Sequence, residues 1–565
     1  MHALAASRPI WRATGGAAVR ERTLVSLACV LLGFAIIAAR LILLALASPQ
    51  IRSTLVEPLA SSTSRPDLVD RQGRLLATDI IVHSLYADPA LILDLDEAVE
   101  RLSAALGLDA AELRRVLGDR SRRFAWVARG LSPRQAKRVH DLGLPGFAFR
   151  GELKRFYPLG ALTGHCLGTV NIDNRGIAGI ERMLDEAHLV EMVQGAEGVR
   201  RPPVELSLDI GVQHAVAAEL KAAIARYEAY GAAGLILDAA SGEVLAAVSL
   251  PEVDPMRAAE WLDPELADRL LGGTFELGSI FKTLTVAMAL EDGTADLDKL
   301  YDVRQPLVAA PYTISDLHPQ GRPLSVRDIF LRSSNVGAGM MALEIGSERQ
   351  RAFLDRLGLL QPMRTEAGSV AAPQLPKQWG RTETITIGYG YGLALAPLHF
   401  AAAFASLING GSGIAPTFLR APARAIAREP PRVVSAATSA KLREILRLNV
   451  TSAAGTGRRA DAQDYRVGGK TGTAEMLGRR GYRDNAVIAS FVGGFPMEAP
   501  RYVTLVSLFA PHTGEAQRDH STAGGNAAPV TARIVQRIAP LLGVLPRRVE
   551  AAEPMQAFDA PRPAQ

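Results

Sequence analysis

The sequence predicts an α+β protein: a single N-terminal membrane-spanning helix, then a body built on an antiparallel sheet covered by helices. Three observations predict it. Leu24 to Ala47 is one apolar run; strand-like runs at 234–251, 486–495 and 502–510 lie between helical patterns; and 565 residues are too many for one core, so two or more domains are expected.

The apolar run, LVSLACVLLGFAIIAARLILLALA, would span about 36 Å as a helix, enough for a hydrocarbon core of about 30 Å. Arg40 lies past its middle, where its head group can snorkel to the far interface. Arg8, Arg12, Arg20 and Arg22 precede the run, which makes residues 1–23 a cytoplasmic tail and places the rest of the chain outside the cytoplasm. Ala45-Leu46-Ala47 resembles a signal-peptide cleavage site, but the length of the run and Arg40 favour an uncleaved anchor over 24–47.

Residues 48–64 read as a Ser/Thr/Pro connector. RPDLVDRQGRLLATD (65–79) reads as two short strands around the turn Asp70-Arg71-Gln72-Gly73. Residues 95–141 are amphipathic and helical, with Arg114, Arg115, Arg120, Arg122 and Arg123 reading as a solvated basic face, with a partner or envelope contact as the alternative. From about 205 the texture changes. Asp209 caps a helix whose Val212, Val216, Leu220 and Ile224 share one face. GLILDAASGEVLAAVSLP (234–251) is a hairpin turning at Ala239-Ala240-Ser241-Gly242, and PVTARIVQRIAPLL (529–542) is a closing helix with Pro529 in its first turn. These divisions give a module at 65–204, a main domain at 205–545 and an Ala/Pro-rich, disordered tail at 546–565.

Composition excludes several classes of function. A net charge of +5, without a basic patch interleaved with aromatics, argues against nucleic-acid binding. Cys29 lies in the apolar run, so a disulfide with Cys166 is not expected, and no Cys/His spacing indicates a metal. His165-Cys166 reads as packing. Only eight of the 63 basic residues are lysine, so lysine is seldom used here as a generic cation. A deprotonatable amine is the one thing arginine cannot supply.

That directs attention to FELGSIFKTLT (275–285). Ser279 opens a helix that is apolar nearly all round, and Lys282 follows one turn later on the same face. A hydroxyl at a helix start sits among free N–H groups, and a buried amine can be neutral enough to take its proton. Taken alone the pair is more often an ordinary helix start. LRSSNVGAGM adds Ser333 and Asn335, a hydroxyl that can relay a proton and an amide that can hold a substrate or orient the lysine. Alone it reads as a capped turn. VGGKTGTAE adds Lys470, Thr471, Gly472 and Thr473 on a glycine-rich strand that an extended peptide could pair with, and whose cation and hydroxyls suit a carboxylate. Alone it is a polar edge strand.

In this order, Ser-x-x-Lys, Ser-x-Asn and Lys-Thr-Gly resemble the penicillin-recognising serine transpeptidases and β-lactamases. SLYADP (84–89), RFYPLG (155–160), GIAGIE (176–181), SLDIGVQ (207–213) and GYGYGLALAPLHFA (388–401) extend the resemblance to class B penicillin-binding proteins, from the anchor to about residue 545. Ile280 in GSIFK and His399 in LAPLHF depart from the usual pattern without removing a reacting group. The resemblance implies an elongated, non-catalytic pedestal of dimerisation type over 65–204, and a transpeptidase domain with an all-helical subdomain over 205–545. It implies a D-Ala-D-Ala transpeptidase that needs no cofactor. Ser279 is the nucleophile, Lys282 the base, Ser333 and Asn335 assist, and Lys470, Thr471 and Thr473 hold the terminal carboxylate. Backbone N–H groups of Ser279 and Thr473 form the oxyanion hole beside Gly472. Implied partners are peptidoglycan stem peptides, β-lactams as covalent inhibitors, and, at the septum of the inner membrane, an FtsW-type glycan polymerase with other divisome proteins. The closest motifs are those of the division-specific branch, with the elongation-specific branch as rival and a mainly scaffolding role as the non-enzymatic alternative. β-Lactamases and carboxypeptidases share the three motifs but do not usually carry an anchor and pedestal.

Overall fold

The computed structural model describes residues 16–46, 62–193, 202–309, 311–420, 431–478, 481–512 and 522–546. Most of the connector, the residues before Gly16 (Arg8 and Arg12 among them) and the tail from 547 lie outside them.

The N-terminal helix runs Gly16–Leu46, and its described side chains, Leu24 to Arg40 with Ile42, are apolar and exposed almost throughout. Among the described residues no helix is long and apolar enough by itself to cross a membrane.

The chain forms two compact units. The first centres on Val82–Glu152. Helices Leu95–Leu106 and Ala110–Leu117 are capped by Asp94 and Asp109, each accepting from the N–H three residues on. Val99, Leu102, Leu113 and Leu117 form their buried stripe. A third helix, Pro133–Asp141, opens on a Ser132–Gln135 capping box. The helical expectation for 95–141 misses strand Ala125–Leu131, which pairs antiparallel with strand Leu75–Ala87. Only its end residues, Ala125 and Leu131, are buried, so neither alternation nor a helical period marks it. The arginine cluster is a solvated face whose charges are met locally: Arg115 by Glu112, Arg122 by Asp119, Arg123 by Asp88 and Arg114 by Asp96.

The second unit gathers Ser61–Ile81, Leu153–Val193 and Glu197–Gln565. Gly73, at φ +80°, closes the expected turn by donating its N–H to the Asp70 carbonyl. A buried charge cluster lies nearby: Glu181 accepts from Arg65 Nε and Arg155 Nε, both at 2.7 Å, with Asp185 and Asp79 completing the counter-charges. Both guanidiniums and Glu181 are fully buried, so each charge depends on the others.

The core is a five-stranded antiparallel sheet. We label its strands β1 (Gly231–Asp238), β2 (Val244–Leu250), β3 (Gly468–Gly478), β4 (Gly481–Phe495) and β5 (Tyr502–Phe509); their spatial order is β3-β4-β5-β1-β2. The hairpin turn is built as expected: Asp238 Oδ1 accepts from the N–H groups of Ala240 and Ser241, and Gly242 takes φ +79°. Along β1, Ala233, Leu235 and Leu237 face one core while Ala232 and Ile236 face the other, the period of two that a sheet covered on both sides requires. One face packs against helices Ile210–Tyr227, which Asp209 caps, and Ala527–Leu541. The closing helix starts at Ala527, capped by Asn526, two residues before the expected Pro529.

Helices on the other face carry the site. We label them α1 (Lys282–Glu291), α2 (Val326–Arg332), α3 (Asn335–Ile345), α4 (Pro397–Ile408) and α5 (Ala436–Thr451). The subdomain expected to be all-helical also holds three short antiparallel strand pairs, such as Leu307–Ala309 with Tyr312–Ile314. Runs of two or three residues are too short for a periodicity to show.

Candidate active site

Ser279 lies in a single 3-10 turn, Gly278–Phe281, that leads into α1 at Lys282, so the nucleophile candidate precedes the regular helix. Gly278 has φ +55°, and a Cβ there would stand 2.7 Å from the Thr473 carbonyl oxygen. Across the gap, a Cβ on Gly472 would stand 2.6 Å from Leu277 O and 2.8 Å from Ile280 N. The two glycines let the turn and edge strand β3 run backbone against backbone, which side chains would prevent.

Lys282 is 1% exposed, and its Nζ is the hub of the site. It lies 3.0 Å from Ser279 Oγ, 2.6 Å from Ser333 O, 2.7 Å from Asn335 Oδ1 and 3.2 Å from Ser333 Oγ. Two of these partners, Ser333 O and Asn335 Oδ1, can only accept. A neutral amine has two hydrogens and one lone pair. If the hydrogens go to the two carbonyl oxygens, the lone pair is left for the Ser279 hydroxyl. Burial, then the nearby Lys470 cation, hold the Lys282 amine well below the ordinary lysine value, against the pull of Asp316.

Ser333 reaches this place through its backbone. It ends α2 in the left-handed region, at φ +61°, which turns both its carbonyl and its hydroxyl toward Lys282. Ser334 then caps α3, accepting from Gly337 N, so the capped-turn reading of SSN holds for Ser334 while its neighbours on either side face the lysine.

Lys470 is fully buried on β3, at the sheet edge, and burial lowers it to about 7. Its Nζ donates to Ser333 Oγ at 3.1 Å and to Thr456 Oγ1 at 3.4 Å, and stands 5.7 Å from the centre of the Phe330 ring. Thr471 donates its hydroxyl to Thr456 Oγ1 at 2.7 Å, and Thr473 Oγ1 accepts from Ala523 N at 3.2 Å. Ser279, Ser333, Asn335, Thr471, Gly472 and Thr473 all line one cleft of about 580 Å³. The structure therefore brings all eight sequence-derived residues together across nearly 200 positions of chain.

Two residues were missed. Asp316 fixes the serine-asparagine segment: it accepts from Ser334 Oγ at 2.6 Å, Asn335 N at 2.6 Å and Val336 N at 3.0 Å. Its sequence context, a lone acid in a loop, carried no signal. Thr456 meets Lys470 and Thr471 and is itself held by fully buried Asn449, whose Oδ1 accepts from Thr456 N at 3.2 Å while its Nδ2 donates to Gly469 O at 2.8 Å. The flanking Gly455 was the only clue, since a Cβ there would stand 2.0 Å from Asn449 O. Of the two departures, Ile280 packs in the core and His399 is buried, with Nε2 against Gly358 O at 2.8 Å and its cationic form disfavoured by burial.

The sequence matches the penicillin binding protein transpeptidase domain over residues 232–536. The chain belongs to that family. This penicillin-binding protein also matches the penicillin-binding protein dimerisation domain over residues 60–200. It is 36% identical over 490 residues to "Probable peptidoglycan D,D-transpeptidase FtsI" of Caulobacter vibrioides, covering 85% of this chain and 82% of the relative. It is 30% identical over 520 residues to "Probable peptidoglycan D,D-transpeptidase PenA" of Neisseria gonorrhoeae, 87% of each. With "Peptidoglycan D,D-transpeptidase FtsI" of Escherichia coli it shares 28% over 560 residues, 92% of this chain and 91% of the other. Its fold is similar to a crystal structure of a peptidoglycan synthetase from Bifidobacterium adolescentis, with a TM-score of 0.67 at 21% identity over 87% of this chain and 98% of that one.

Proposed function

We propose that this penicillin-binding protein is a serine-type peptidoglycan D,D-transpeptidase that works through a Ser279 acyl-enzyme. The observation that carries the reading is the amine of Lys282: buried, 3.0 Å from Ser279 Oγ, with two carbonyl oxygens that can only accept at 2.6 and 2.7 Å. Lys282 takes the Ser279 proton as Oγ attacks the penultimate D-Ala carbonyl of a stem pentapeptide. Negative charge on that carbonyl oxygen meets the N–H groups of Ser279 and Thr473, an arrangement supported by the close approach of the turn to β3. The terminal carboxylate sits against Lys470, Thr471 and Thr473, beside Gly472. Ser333 links the two lysines and can pass the proton on toward the departing D-Ala nitrogen; Asn335 orients Lys282 and receives the stem amide. A β-lactam presents a strained amide and a carboxylate at the same spacing and so acylates Ser279.

The same proposal extends to septal wall synthesis and to a single-pass inner-membrane anchor with a periplasmic catalytic domain; both rest on sequence, the first on the division-type motifs and the second on the apolar run from Leu24 to Ala47 with the arginines before it. The pedestal is then residues 65–204, the catalytic domain 205–545, and the membrane partners an FtsW-type polymerase and its divisome neighbours. Labelling with a fluorescent penicillin tests the chemistry: a covalent adduct that vanishes in Ser279→Ala is expected, and an adduct that survives the substitution refutes the nucleophile. Imaging a tagged chain tests the location, with uniform side-wall signal as the refuting result.

A further inference from the structure

Beside the catalytic cleft lies a second, polar groove of about 780 Å³. The two share Thr456, Thr522 and Gly524, so the groove opens directly from the Lys470–Thr471 end of the site. Arg458 and Arg459 are exposed on its wall, and among the described residues neither has an acidic partner. Its one lining acid, Asp461, is paired with Arg447 at 2.8 Å, so the free charge of the groove is positive.

The chemistry of the second half-reaction says what should enter there. Resting on the transpeptidase reading, the acceptor amine must approach along the path by which the D-Ala amine left, because acylation and its reversal share one transition state. The acceptor's nitrogen therefore takes the place of the leaving nitrogen, near Lys470 and Thr471, and the remainder of the acceptor extends outward on that side. We propose that the groove of Arg458 and Arg459 is the acyl-acceptor subsite, and that the two guanidiniums hold a free carboxylate of the incoming stem peptide. In the transfer step the acceptor nitrogen attacks the Ser279 ester carbon, and a C–N bond forms as the C–Oγ bond breaks. Lys282 takes the proton from the amine and returns it to Ser279 Oγ, restoring the enzyme. Carboxylate–guanidinium pairing suits such a site because it orients the acceptor as well as attracting it.

The test compares two acceptors with the full chain in detergent, using a thioester analogue of the stem as acyl donor. One acceptor is a free D-amino acid, which reaches no further than Lys470 and Thr471. The other is a stem tetrapeptide whose third residue is a diamino acid with a free amine and a free carboxylate. The readout is the rate of transfer to the tetrapeptide divided by that to the D-amino acid. In Arg458→Gln/Arg459→Gln this ratio is expected to fall roughly tenfold or more, the worth of one charged hydrogen bond, and to recover in part in Arg458→Lys/Arg459→Lys. A ratio equal to that of the unsubstituted chain overturns the proposal, as does a parallel fall with both acceptors. Failure of the unsubstituted chain to form any penicillin adduct is a separate result: it removes the transpeptidase reading itself, and the subsite with it.

Discussion

Asn335→Asp changes one atom of the site and leaves its shape intact. It places a carboxylate oxygen where Oδ1 lies, 2.7 Å from Lys282 Nζ. A carboxylate at that range stabilises the ammonium and raises a lysine's pKa by about 1–3 units, or about 1.4–4 kcal/mol. The sign follows from the reacting form. Lys282 acts as a base only when neutral, and burial and Lys470 now favour that form. Returning its pKa upward removes roughly ten- to a thousandfold of the neutral amine at pH below the original value, and progressively less as pH rises toward the new one. The assay is the rate constant for acylation by a fluorescent penicillin between pH 6 and pH 10. The acid limb of the profile is expected to move up by about 1–3 units, with the rate recovering as pH rises through the new pKa. Asn335→Ala removes the same acceptor without adding charge and is expected to slow the reaction without that upward move. An Asn335→Asp enzyme slowed equally at every pH, or not slowed, would refute the account of Lys282 as the base.

Three further outcomes follow from the same geometry. In Lys470→Met the buried amine goes; a fall from 10.5 to about 7 corresponds to roughly 5 kcal/mol against the buried cation. That cost is full below about pH 7, shrinks toward 10.5 and is absent above it. The variant should therefore melt higher than the unsubstituted chain at pH 6, lose that advantage toward pH 10.5 and fail to acylate; a melting difference independent of pH refutes it. Gly472→Ala puts a methyl group 2.6 Å from Leu277 O and should cost roughly a hundredfold in acylation rate by prising β3 from the Ser279 turn; a change below threefold argues against the oxyanion hole. Glu181→Gln leaves Arg65 and Arg155 buried without their shared carboxylate and should cost about 3–5 kcal/mol in chemical denaturation, while a loss under about 1 kcal/mol contradicts the charge cluster.

Some of this protein was written in local sequence. The cap at Asp209 acts on N–H groups two and three residues away, and the Asp238–Gly242 turn closes on itself, so both were legible where a side chain and its partner are chain neighbours. Where the local pattern was weak, as in strand Ala125–Leu131, the partner strand decides the conformation.

The site divides along the same line. The sequence by itself set Ser279 and Lys282 one turn apart and supplied the hydroxyl, amide and lysine of the two later motifs. It could also show that lysine was scarce enough to be noticed. Only the tertiary structure decided that Ser333 O and Asn335 Oδ1 would lie against the amine of Lys282, and that Asp316 and Thr456 would hold the flanking segments. It alone decided that both lysines would be buried deeply enough to disfavour their charge. The physical reason is that a proton affinity belongs to an environment, not to a residue. Burial and close acceptors come from segments 50 to 190 positions away in the chain, and no spacing along a single motif encodes them.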